Sequence, residues 1–510
     1  MSDGRAQQCW YADDSAIAGS FETITKWFNK LLELGPAFGY LPEPTKSVLV
    51  VKPELLQQAE ATFSHMGVAV TTGQRYLGGV IGTQAQKDTA TELKVQTWSH
   101  HVERLSCVAV RYPQTAHSAL SRSLQAEWDF CMRVTPTDQE IYQPLSHALR
   151  EKFLPALFDA PLSAAEKDLK LLPTRHGGLG IRNPLRRAAA AHAASTEGTS
   201  VARESLCTGE GFNTADHQTQ LRSALKLARE AQEATEIDVA QQARLVMEPN
   251  RRRVMDRHTE HKTSGWLTSV PSLANHTDLP SESFRDALHL RYGKTPPTLP
   301  PSCDGCGAGF TIDHALNCKK GGLIIQRHDE VRDVIGDLCS MAWGAASGKK
   351  EVVLREGDMD GTPGVRTDLL VRGVWQPQVM ASFDLCVVNA DASCYRNHNR
   401  TTASVLKQHE TAKKAHHRLV AEDRRIHFTP LAVTVDGVWG REAGHFLKRL
   451  ASTLCEREGW RGRGYSQVLG WIRARLSTAL VRATARCLRG SRVPWRGLGC
   501  EDGAGMWRHD

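Results

Sequence analysis

The chain has 510 residues, 41% hydrophobic and 24% charged, with 64 Lys and Arg against 56 Asp and Glu for a net charge of +8. At roughly 100–200 residues per domain it is too long for a single small module and suits about three domains, and no run approaches the ~18 uninterrupted apolar residues of a bilayer crossing. The opening MSDGRAQQCWYADD carries no basic-then-apolar leader, so an intracellular protein is expected, with its 13 cysteines as thiols or metal ligands rather than disulfides.

Residues 1–90 alternate apolar runs with turns. A strand-like QCWYADDSAIAG breaks at Asp13 and Asp14, an amphipathic helix follows from about Glu22 to Leu34, and SVLVV (47–51) and RYLGGVIG (75–82) are expected as further strands. Residues 90–170 repeat apolar positions at helical spacing, and LPTRHGGLGIRNP (172–184) follows as a glycine-rich loop. The polar stretch from about 190 to 262 is helical in pattern, as either the exposed face of a bundle or a linker arm, and prolines at 280, 296, 297, 300 and 301 mark a boundary. Beyond it, 323–457 predicts the order α-β-β-β-α-β-α, enough for one mixed sheet flanked by helices, so the fold class is α+β and multidomain. Residues 458–510 are expected as an arginine-rich tail.

Three constellations carry chemistry. Tyr11-Ala12-Asp13-Asp14 places two carboxylates at a hairpin tip, where hard oxygens suit Mg²⁺; an isolated pair of aspartates is otherwise an ordinary turn. Cys303-x2-Cys306-x7-His314-x3-Cys318, in the region 282–322, offers three thiols and an imidazole, a familiar tetrahedral set for a structural Zn²⁺, with Gly305 and Gly307 permitting the knuckle's turn. Asp368 in RTDLLV and Asp384 in SFDLCVV each interrupt an apolar strand, where a carboxylate is costly unless paired or bound to a metal. On neighbouring strands they can share Mg²⁺, with Glu351 or Glu356 as a further oxygen and a lysine supplied by the next helix, which carries Lys407, Glu410, Lys413 and Lys414. The alternative is a pair of edge-strand aspartates beside a solvated basic face.

From Arg461 to Arg496 there are nine arginines and no Asp, Glu or Lys, with Trp460, Trp471 and Trp495 interleaved. Arg473, Arg475, Arg482, Arg486 and Arg489 fall on one helical run and are expected to hold nucleic-acid phosphates, with Ile472, Leu476, Leu480 and Leu488 as its packing face.

In order along the chain these features resemble non-LTR retrotransposon polyproteins. Asp13-Asp14 resembles the catalytic palm hairpin of reverse transcriptases, Pro44-Thr45-Lys46-Ser47 the lysine-bearing palm motif that follows it, and Tyr76-Leu77-Gly78-Gly79-Val80-Ile81-Gly82 the primer-grip turn. The CCHC knuckle, QRHDEVRD (326–333) and the D…D…K order resemble the restriction-like endonuclease of the PD-(D/E)xK class that such elements carry. The resemblance implies a palm part over 1–90, a helical thumb over 91–190, a connector over 191–281, the knuckle, and the nuclease over 323–457. It implies Mg²⁺-dependent DNA nicking with Asp368 and Asp384 as metal ligands and Lys413 or Lys414, with Lys407 as the alternative, as the lysine; Thr367 stands where the family has a proline. It also implies DNA and RNA as partners, Lys46 at nucleic acid, and a nuclear place of work. The family's palm draws a further Asp from a strand earlier than Tyr11, so the expected polymerase site is incomplete, to be completed by the missing amino-terminal part, and the chain alone is expected to be inactive in primer extension. The alternatives are a nucleic-acid-binding remnant with a degenerate nuclease, and a relic without activity.

Overall fold

The computed structural model describes residues 6–345, 348–357 and 364–493; Trp495 and Arg496 lie outside them. Up to Gly82 the strands form three separate two-stranded sheets. Strands β1 (Gln7–Tyr11) and β2 (Asp14–Ala18) are an antiparallel hairpin in which Tyr11 pairs with Asp14 across a loop of Ala12 and Asp13, with Ala12 at φ 54°. The turn therefore falls one residue earlier than expected, and Asp14 is a strand residue. β3 (Val48–Val50) pairs in parallel with β4 (Ala69–Thr71). The run 75–82, expected as one strand, instead folds back on itself as the antiparallel pair β5 (Gly73–Tyr76) and β6 (Gly79–Gly82). Leu77 and Gly78 take φ 48° and 84°, the positive values that a tight two-residue hairpin loop requires.

From the helix Gln84–Arg111 to the helix Ser281–Arg291 one apolar core runs through Trp98, Trp128, Phe153, Met255, Phe284 and Tyr292, so the expected thumb and connector pack as one unit. The polar stretch is a bundle, with helix Thr214–Leu245 against Pro184–Gly198. On helix 214–245 the buried apolar positions are Ala224, Ala240 and Ala243, small residues that let helices approach closely, so this helix packs with few large apolar side chains. The glycine-rich loop is part of this core: Tyr292 donates to Gly177 O (3.0 Å), His117 Nε2 meets Leu179 O (2.8 Å), and a Cβ on Gly178 would lie 1.9 Å from Leu172 O.

The carboxy-terminal half follows the expected order: helix Leu323–Trp343, β7 (Gly348–Arg355), β8 (Val365–Arg372), β9 (Met380–Val388), helix Thr402–Asp423, β10 (His427–Thr434) and helix Arg441–Glu456. Their sheet runs β10-β9-β8-β7, antiparallel except for β9 and β10, whose parallel pairing needs the crossover that helix 402–423 supplies. Pro430 sits on the edge strand β10, where a missing N–H is tolerated. The residues expected as a tail include a helix, Tyr465–Arg489, whose Val468, Ile472, Leu476 and Leu480 join the same core as Val331, Phe383 and Phe446. Apolar residues four apart put one continuous stripe against the domain, so this helix is integral to it.

Candidate functional site

Asp368 and Asp384 meet at a fork in the sheet. β8 and β9 pair from Arg372↔Met380 to Leu369↔Phe383, and the next residue on each strand is the aspartate. Beyond that point β8 continues against β7 and β9 against β10, so the carboxylates stand where two central strands part. Thr367 has a structural part here: its buried hydroxyl donates to Phe383 O (2.8 Å) and accepts from Ser382 Oγ (2.7 Å), tying the strands at the mouth of the fork.

Both flanking helices reach the carboxylates. Asp368 Oδ2 accepts the Leu385 N–H at 2.6 Å and lies 3.1 Å from His328 Nε2 on helix 323–343. Asp384 is buried, with Lys413 Nζ 2.8 Å from each of its oxygens and His417 Nε2 2.7 Å from Oδ2. Lys413 and His417 are four residues apart and so share one face of helix 402–423. Burial alone would raise the Asp384 pKa, but the His417 hydrogen bond and the Lys413 charge outweigh it and hold the carboxyl down at about 2. Burial would likewise lower His328, but Asp368 and then Asp329 overcome it and its pKa is raised.

Among the lysines the geometry discriminates. Lys413 is on Asp384, Lys414 pairs with Glu442 at 2.7 Å on the surface, and Lys407 is exposed nearer the start of the helix. Glu410 turns away from the fork to accept the Glu442 N–H (3.1 Å), and Glu351 is held by Arg332. His328 and His417 were not assigned from sequence, although one lies in QRHDEVRD and the other one turn beyond Lys413.

Cys303, Cys306, His314 and Cys318 come together, every ligand atom within 4.8 Å of the others. Cys318 Sγ is 4.0 Å from both Cys303 Sγ and Cys306 Sγ, and Cys306 Sγ is 3.4 Å from His314 Nε2. A tetrahedron with Zn–S arms of ~2.3 Å has edges of about 3.8 Å, so the donor set could hold a metal such as zinc. The knuckle is fastened to its neighbours. Asp304 accepts from Ser491 Oγ (2.7 Å) and Arg492 N (2.8 Å), while Asp313 accepts from Asn389 Nδ2 (3.1 Å) at the end of β9.

Asp13 and Asp14 are exposed on the β1–β2 hairpin, and among the described residues no group of three or more metal-type ligands includes them. Lys46 is exposed and paired with Glu43 at 2.6 Å. The acid-free arginine helix finds its acids elsewhere in the chain: Arg489 grips Asp286 (2.7 and 3.0 Å), Arg482 meets Asp278 (3.1 Å), Arg486 meets Glu330 (3.1 Å), and Arg475 is buried beside Trp471. Four of the five expected phosphate contacts are thus packing and ion-pair residues, and only Arg473 is exposed without such a pairing shown. Composition could not reveal this, because the partner acids lie some 150–210 residues earlier.

No family model and no curated protein matches the chain. Among the described residues no helix is long and apolar enough to cross a membrane.

Proposed function

We propose that the unit 323–489 is a Mg²⁺-dependent DNA-nicking nuclease of the restriction-like class, within a retrotransposon-type reverse transcriptase polyprotein that works on DNA and RNA in the nucleus. The observation that carries it is the convergence of Asp368, Asp384 and Lys413 at the β8–β9 fork. Two hard carboxylates on adjacent strands fit Mg²⁺, which would supply charge stabilisation at the scissile phosphate. In this reading Asp368 and Asp384 hold the cation, and Lys413, a third exposed, delivers its ammonium to the attacking water or the developing negative charge. The knuckle, holding zinc, braces the domain, and the Asp13–Asp14 hairpin is the palm side of the same polyprotein.

Purified chain should convert supercoiled plasmid to open circles only with a divalent cation. Asp384→Asn and Lys413→Met should abolish this, whereas Lys414→Ala should nick like wild type. Nicking at an undiminished rate by Asp384→Asn would refute the site. One observation favours a second reading, a nucleic-acid-binding remnant: both Asp384 oxygens are occupied by internal donors, as in a structural ion pair. Salt-sensitive DNA binding with no divalent-dependent cleavage would select it.

A further inference from the structure

His417 and Lys413 hold the same carboxylate in different ways. The His417 side chain is 1% exposed, its ring is stacked on Phe428 at 4.2 Å and 9°, and its buried Nδ1 has no hydrogen-bond partner among the described residues, so its polar tie there is the 2.7 Å contact from Nε2 to Asp384 Oδ2. The Lys413 side chain is 33% exposed and spans both oxygens through a flexible stem, so it can swing to water. If Lys413 leaves, Oδ1 is released while Oδ2 keeps its donor.

We propose that His417 is the positioning residue of the fork: it anchors Oδ2 of Asp384 so that Oδ1 faces a divalent cation once Lys413 is displaced. This rests on the proposed metal site. Without the His417 donor, displacing Lys413 would strand a buried carboxylate oxygen, so the carboxylate keeps its lysine and binds the cation poorly. Groups that orient metal ligands in this way typically contribute 10- to 100-fold in metal affinity.

The test is Ca²⁺ titration calorimetry on the full chain, which reads binding without turnover. His417→Phe keeps a ring against Phe428 and removes the donor; His417→Gln keeps a donor. The phenylalanine variant should bind Ca²⁺ about 10- to 100-fold more weakly than wild type, with the glutamine variant recovering most of the loss. Adding His417→Phe to Asp384→Asn should change nothing further, which shows that the loss runs through Asp384, while recovery by His417→Gln separates positioning from misfolding. Unchanged Ca²⁺ affinity in His417→Phe, or an equal loss in the Asp384→Asn background, would overturn the inference. Wild-type chain that binds Ca²⁺ through Asp384 yet never nicks DNA would overturn the nuclease proposal alone; wild-type chain with no Asp384-dependent Ca²⁺ binding would overturn both.

Discussion

Replacing Asp384 by Asn should weaken the fork by a calculable amount and in a defined pH window. The carboxyl is held at about 2 against its ordinary 3.8. That is nearly two units, and at about 1.4 kcal/mol per unit it is worth roughly 2 kcal/mol. Because the folded value is depressed, the contribution is complete above the unfolded value and fades as pH falls towards 2; about half should remain at pH 3. Asparagine still offers His417 an acceptor but removes the charge facing Lys413, whose part-exposed ammonium can turn to water, so the loss stays near this figure rather than that of a fully stranded ion pair. Amide exchange of peptides over 380–388 and 402–423 reads the local opening free energy in both proteins. Exchange at pH 7 should be faster in Asp384→Asn by an amount equivalent to roughly 2 kcal/mol, with the gap narrowing below pH 4. A gap that does not change between pH 7 and pH 3 would refute the electrostatic account, and no gap at pH 7 would show that Lys413 and His417 do not hold the carboxylate in solution.

Three further perturbations test the framework around the fork. The chain should retain about one zinc per molecule, and Cys318→Ser or chelation should release it and open residues 303–322 to proteolysis, since the knuckle's four ligands would no longer be clamped. Arg257, 5% exposed in its side chain, joins the helical unit to the loops after β9 and β10 through Asp391 and Asp436. Arg257→Met should therefore cost about 3–5 kcal/mol in urea unfolding by leaving the largely buried Asp436 without its cation, while Asp391 keeps Arg253 at 3.1 Å. Gly178→Ala should cost at least about 2 kcal/mol, because its new Cβ would press on the Leu172 carbonyl in a core with no room to yield.

Much of the carboxy-terminal half was legible in the sequence because its strands and helices carry strong local patterns. β8 alternates buried residues with half-buried or exposed ones, β9 and β10 are β-rich apolar runs, and helix 402–423 starts at a capping Thr401. The knuckle was legible for the same reason, since its four ligands lie within sixteen residues and their spacing alone limits where they can meet. The 75–82 hairpin was legible only through the resemblance, which implies a turn there; the local pattern reads as one strand because the turn uses Leu77 in place of the usual glycine or asparagine at positive φ.

Length, composition and patterning thus determined by themselves that the chain has several packed parts, a mixed sheet in its second half and a ligand set fit for a metal. Only the tertiary structure decided which carboxylates meet, which of three lysines reaches them, and that His328 and His417 join them. It also decided that the arginine segment is mostly an internal ion-pair face. Periodicity is a property of neighbouring residues, whereas the fork and the arginine pairings join residues 16 to 204 positions apart, and only the path of the backbone through space sets those distances.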